Sequence, residues 1–294
     1  MHMNSFPEFT AEVSSNHSRD LIRAKQFISE SARIGCTAVK FQLFKLEELF
    51  APEILAKSEG HRSRKDWELP IEFIPELSKY THDLGLKFSC TPFYLDAVSE
   101  LRPYVDFYKI ASYELLWKEL FVECAKTGKP IVFSTGMATI DEIDDALKSI
   151  SGHNTTDVTI LKCTSAYPTP AKEANLSAIK TLERQFGSTY RGLKLSYGYS
   201  DHTRSENVLN RAFHHYNISF LEFHLDLDGK GEEYKSGHCW LPSEMESLIL
   251  RIKSDLETDG DGLFGPTESE LADREWRADP LDGLRPLLKK RTTF

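Results

Sequence analysis

The chain has 294 residues, a hydrophobic content of 40% and a formal net charge of −9. That length allows one large domain or two small ones, with enough apolar residues for a substantial core. The acidic balance gives no reason to expect a nucleic-acid or membrane partner. No apolar run is long enough to span a bilayer, and the start is not signal-like. A small anionic substrate stays open, because it needs only a local cluster of positive charge.

In chain order, short apolar runs rich in Val, Ile, Phe and Tyr alternate with helical patterns. Strands are predicted at 9–15, 38–44, 87–93, 107–112, 130–136, 158–164, 193–200 and 218–226. Between them run helical stretches such as "RDLIRAKQFISESARIG", ending in the cap glycine Gly35, "LWKELFVECAKTG", ending in Gly128, and "IDEIDDALKSIS". Eight βα units predict an α/β fold, a (β/α)8 TIM barrel spanning 1–260. An open doubly wound sheet normally carries a glycine-rich loop after its first strand; here that strand ends "SSNHS". The charged insertion at 45–70 reads as a lid or as a solvated excursion. Residues 261–294 read as a tail or linker, with Phe264 and Trp276 as its packing residues. The five cysteines (Cys36, Cys90, Cys124, Cys163, Cys239) form no CxxC and read as reduced thiols of a cytoplasmic protein.

Strand residues of a barrel alternate between interior and helix layer, and the active site lies at the C-terminal mouth. Parity then turns Glu12, Lys40, Gln42, Thr91, Lys109, Ser134, Ser200, His202, Glu222 and His224 inward. Burying so many ionisable groups is costly unless they pair or bind something, and their convergence on one mouth points to a ligand site. His202 and His224 end neighbouring strands, so their rings can share a divalent ion or be two hydrogen-bonded histidines. His214 and His215 fall in a helical pattern and read as surface or packing residues; His17 can be either. Lys40 and Lys109, with Thr91, Ser112, Ser134 and Ser200, form the cationic, hydroxyl-rich patch that a phosphate or carboxylate needs. "STGMAT", at 134–139, adds backbone amides near a helix start.

The segments "AEVSSNH", "GCTAVKFQLF", "SCTPF", "YKIAS", "GKPIVFSTGMAT", "CTSAYPTP", "GYSDHT" and "EFHLDLD" follow one another from about residue 10 to 242. In that order the chain resembles the catalytic barrel of the sialic acid synthases. The resemblance implies condensation of phosphoenolpyruvate with an N-acylated amino sugar aldehyde, release of phosphate, and a divalent metal, Mn2+ or Mg2+. It implies metal binding by His202 and His224, and phosphoenolpyruvate surrounded by Lys40, Thr91, Lys109, Ser112, Ser134, Ser165, Tyr167 and Ser200. Glu12, Gln42, Glu114 and Glu222 would stand near the sugar and the reacting centre, with Glu12, Glu114 and Glu222 as catalytic carboxylates.

The chain departs from the pattern in four places. Phe223 stands where the family has a cation between the glutamate and histidine matched by Glu222 and His224. Tyr113 stands where a glycine precedes the glutamate matched by Glu114. Lys235 falls where an aspartate contacts the sugar. The family's small antifreeze-like domain, which reaches a partner's active site in a domain-swapped homodimer, would begin where this sequence stops. Either a separate protein supplies it or the acceptor does not need it. Two other readings remain: a non-catalytic or partner-dependent barrel that binds phosphoenolpyruvate or a sugar, and a Schiff-base aldolase using Lys109 or Lys162.

Overall fold

The computed structural model describes residues 7–258 and 260–293. The apolar runs become eight parallel strands: β1 (Glu8–Glu12), β2 (Ala38–Leu43), β3 (Lys87–Pro92), β4 (Phe107–Ile110), β5 (Ile131–Ser134), β6 (Asp157–Cys163), β7 (Lys194–Asp201) and β8 (Phe220–His224). Each pairs with the next and β8 closes on β1, so the sheet is a barrel in chain order. The strand-following helices are α1 (Leu21–Arg33), α2 (Ile74–Asp83), α3 (Leu95–Leu101), α4 (Lys118–Lys126), α5 (Ile140–Ile150), α6 (Ala178–Phe186), α7 (Glu206–Tyr216) and α8 (Pro242–Glu257). The fold is a (β/α)8 barrel.

The helices form where polar and apolar residues recur at helical spacing and a cap is at hand. Asp20 accepts from the amides of Ile22 and Arg23 to start α1. Thr139 and Glu142 make a reciprocal capping box at the start of α5. One face of α5 then buries Ile143, Ala146, Leu147 and Ile150, each large aliphatic side chain contributing roughly 1.5–3 kcal/mol.

Several strands stop two or three residues before the predicted ends. Ser14, for example, takes a left-handed φ of 49° and turns the chain out of β1. The insertion after β2 folds into short helices at Leu46–Leu49, Pro52–Lys57 and Glu59–Arg62. Lys65 pairs there with Glu47 (2.8 Å) and Glu68 (3.0 Å).

Inside the barrel, Ala38, Phe107, Val132, Leu161 and Phe220 form an apolar layer. Phe107 and Phe220 meet edge to face, with centroids 5.8 Å apart. Gly198 makes room for them: a Cβ there would lie 2.4 Å from the Phe220 carbonyl oxygen and 2.6 Å from Leu161 Cδ2. This layer is the floor on which the mouth stands.

The chain divides into two compact units, Met1–Ser254 and Asp255–Phe294. In the second, Thr267 and Glu270 cap a short 3-10 turn, and Arg291 pairs with Asp282. Phe264 is fully exposed, so it does not pack this segment as expected. Gly262 and Gly265 flank it, and it lies outside any helix or strand that would fix its direction. Among the described residues, no helix is long and apolar enough to cross a membrane.

Candidate active site

Two residues above the apolar layer along the same strands, the interior becomes charged. Ala38 gives way to Lys40, Phe107 to Lys109, Val132 to Ser134, and Phe220 to Glu222. The strand register sets Glu12 beside Lys40 on one side and His224 on the other, and Ser200 beside Glu222. The Lys40 ammonium pairs with Glu12 and lies 3.8 Å from Glu222; Lys109 lies 3.4 Å from Glu222. All four side chains are buried. Lys40 also donates to Thr91 (3.2 Å), Gln42 to Glu12 (2.9 Å), and Ser200 to Glu222 (3.2 Å). Burial alone would lower the pKa of Lys40, but the Glu12 and Glu222 carboxylates outweigh it and raise it. For Lys109 burial prevails over Glu222 and the pKa falls. Burial opposes ionisation of Glu222, yet Lys109 and Lys40 hold it well below the usual carboxylate range. Two carboxylates and two ammoniums thus form a charge-balanced buried layer.

Above it stand the histidines. The ring of His202 lies 5.2 Å from that of His224 between centroids. Nδ1 of His202 contacts the Thr164 carbonyl oxygen (2.8 Å), and Nδ1 of His224 contacts Glu233 (2.9 Å). Each Nδ1 faces an acceptor and so donates, which leaves Nε2 of the neutral imidazole as the free lone pair, the arrangement of a metal-ligating histidine. Tyr167 lies against His202, with centroids 4.2 Å apart.

Glu233 and His238 come from the segment after β8, and no sequence pattern pointed to them. Hydrogen bonds from the Trp240 amide to the His224 carbonyl (2.8 Å) and from the Asp226 amide to the Trp240 carbonyl (2.9 Å) fold this segment back over the strand end. The Trp240 indole donates to Asp201 (3.0 Å), and Asn16 accepts from the Glu233 amide (3.1 Å). Gly231 permits that closure: a Cβ there would sit 2.3 Å from Asn16 Oδ1 and 2.4 Å from Asp226 Oδ1. Ligand atoms of His224, Glu233, His238 and Cys239 all lie within 4.8 Å of one another. Burial opposes the charge on Glu233, but its hydrogen bond to His224 and the nearby His238 imidazole carry the pKa far below the ordinary value. The nitrogen-and-carboxylate donor set fits a divalent cation.

Ser112, Glu114, Ser134 and Ser165 stand at or just past the ends of β4, β5 and β6. The Gly136 amide donates to Ser112 Oγ (2.9 Å). A Cβ on Gly136 would collide with Ser165 Oγ and Ser112 Oγ, at 2.1 and 2.8 Å, so only glycine leaves this cradle open. The buried Ser134 and Ser165 hydroxyls have no hydrogen-bond partner among the described residues. The amides expected from the start of α5 are partly spent, because the capping box takes those of Thr139 and Glu142. Burial raises the Glu114 carboxyl to about 7, against the pull of Lys109. Lys162 takes the other parity. Its ammonium bonds Thr164 Oγ1 (2.9 Å) and borders a cavity of about 560 Å3 with Thr135, Met137 and Ile143. Lys235 is exposed and pairs with Glu232 (2.6 Å), so the acidic side chain that this loop sends inward is Glu233. Each of the five cysteines is buried and free.

Residues 27–263 match the model of the NeuB family. The chain belongs to the NeuB family. Among its relatives is the N,N'-diacetyllegionaminic acid synthase of Campylobacter jejuni, 32% identical over 275 residues that cover 88% of this chain and 79% of that protein. The pseudaminic acid synthase of Helicobacter pylori is 33% identical over 208 residues, 67% of this chain and 59% of that protein. The crystal structure of the N-acetylneuraminic acid synthetase of Leptospira borgpetersenii, in complex with citrate, superposes with a TM-score of 0.78 at 26% identity, covering 93% and 92% of the two chains. The names of these relatives specify different acids as products, so family membership leaves the acceptor sugar open.

Proposed function

We propose that the chain condenses phosphoenolpyruvate with an N-acyl amino sugar aldehyde to give a nonulosonic acid and inorganic phosphate. The observation that carries this reading is the buried layer of Glu12, Lys40, Lys109 and Glu222, set directly beneath the histidines and beside the Ser112–Gly136–Ser165 cradle. A site of that composition can hold a triply charged substrate, balance a transient cation and move protons.

Lys40 and Lys109, with the hydroxyls of Thr91, Ser112, Ser134 and Ser165, would hold the phosphate and carboxylate and fix the nucleophilic carbon. Tyr167, against His202, and Ser200, bonded to Glu222, would complete the enclosure. His202 and His224 would hold a divalent cation, Mn2+ or Mg2+, whose Lewis acidity would serve the aldehyde. Carbon–carbon bond formation uses the alkene electrons of phosphoenolpyruvate and leaves positive character at its C2. Glu222 and Glu12 would stabilise that charge. Water adds at C2, the C2–O bond to phosphorus breaks, and phosphate leaves. With its pKa near neutrality, Glu114 is poised to give or take a proton in these steps.

The test is phosphate release from phosphoenolpyruvate with Mn2+ across a panel of N-acylated aldoses, each with and without EDTA. Release should require one sugar and vanish with chelator. The departure at Lys235 favours a second reading, a barrel that binds phosphoenolpyruvate and acts only with a partner. Measurable phosphoenolpyruvate binding without release for any sugar would support that reading over the first.

A further inference from the structure

His238 is 3% exposed, and neither of its ring nitrogens has a hydrogen-bond partner among the described residues. Its Nε2 stands 3.6 Å from Glu233, beyond hydrogen-bonding distance. A buried imidazole with neither nitrogen hydrogen-bonded forfeits its hydration without a full replacement. The side chain does not point into an apolar void. Its ring centroid lies 4.6 Å from that of His224, 6.0 Å from that of His202 and 4.9 Å from that of Tyr167.

Imidazoles sharing one ion, with metal–nitrogen bonds of about 2.1 Å, bring their ring centroids to about 4.5–5.5 Å at bond angles of 90–120°. The separations of 4.6 Å (His224–His238) and 5.2 Å (His202–His224) fall in that range, and 6.0 Å (His202–His238) lies just above it. Glu233 is placed as an outer partner, binding Nδ1 of His224 and orienting that ring.

We infer that His238 is a third protein ligand of the cation at His202 and His224, delivered by the folded-back loop 226–240, with Glu233 orienting the His224 ring beside it. This deepens the proposed function by naming a ligand of its metal, although the binding itself does not depend on turnover. Three imidazoles make a nitrogen-rich site. It should select Co2+ or Zn2+ over Mg2+, which takes oxygen ligands and sheds water reluctantly.

The experiment is equilibrium dialysis of the chelator-stripped protein against Co2+, with the visible absorption of the bound ion as a second readout. Wild type should bind Co2+ at least 100-fold more tightly than Mg2+. His238→Ala should weaken Co2+ binding at least tenfold and change its absorption, with circular dichroism in EDTA unaltered. Unchanged affinity and spectrum in that variant overturn the inference. If the alanine variant does not fold, His238→Gln keeps the side-chain bulk and is measured in its place. A readout that needs no variant is the electron spin-echo modulation of bound Cu2+, which counts coordinated imidazoles: three support the inference and two overturn it. Three imidazoles with no sugar-dependent phosphate release would remove the proposed function and leave this inference standing. Two imidazoles with such release would do the reverse.

Discussion

The barrel interior has two layers built on the same strands and the same parity, two residues apart. Below, Ala38, Phe107, Val132, Leu161 and Phe220 form an apolar cluster. Above, Lys40, Lys109, Ser134, Cys163 and Glu222 occupy the next inward positions of those strands. The backbone environment is nearly the same, and only the side chains differ. The lower layer gains stability by removing apolar surface from water. The upper layer gives up that gain to keep charges aimed at one point, and it stays folded because its charges balance.

The sharpest way to break this division is one substitution in each layer. Phe220→Ala opens a cavity in the floor and should cost about 3–5 kcal/mol of unfolding free energy, with the KM for phosphoenolpyruvate unchanged in the folded fraction. Lys40→Met should cost a similar 3–5 kcal/mol, because Glu12 is left buried without its cation, and saturation by phosphoenolpyruvate should also be lost. Denaturant titration and initial-rate kinetics on both variants check the pair. If Phe220→Ala raised KM as much as Lys40→Met, the two layers would not be separable.

Glu114 gives a smaller effect with a definite sign. Its carboxyl is raised from 4.5 to about 7, chiefly by burial. Between those values the folded chain keeps a proton that the unfolded chain has released. This contribution is therefore fully present below about pH 4.5 and is lost as pH rises through about 7. A shift of that size corresponds to roughly 3 kcal/mol. Unfolding free energies at pH 5 and pH 8 should differ by less in Glu114→Gln than in wild type. An equal difference in the two proteins would remove Glu114 as the buried, proton-holding member of the upper layer.

The reach of the sequence follows the same line. Parity works where a strand runs, so Glu12, Lys40, Lys109 and Glu222 were legible as inward residues, and the βα alternation made the barrel legible with them. Glu233 and His238 were not, because residues 226–240 have no period from which a direction can be read. Their placement depends on the amide of Trp240 returning to His224 and on Gly231 slipping between Asn16 and Asp226. Those contacts link residues far apart in sequence. The weak signal present was composition: a glutamate and a histidine five residues apart, each closely preceded by a glycine (Gly231 and Gly237), in the segment after a strand that ends in His224.

That loop repeats the comparison at the scale of neighbouring residues. Glu233 turns inward to His224, while Glu232 and Lys235 turn outward and pair with each other at 2.6 Å, both more than half exposed. An exposed pair of that kind contributes little, because water and salt screen it and two flexible side chains must be held. Lys235→Ala should therefore shift unfolding free energy by less than about 0.5 kcal/mol and leave the acceptor KM within twofold of wild type. The aspartate that the resemblance expects at this position would contact the sugar. A tenfold rise in acceptor KM on removing Lys235 would thus place the outward side of the loop in the acceptor site. An unchanged KM confines the loop's contribution to its inward side, to Glu233 and His238.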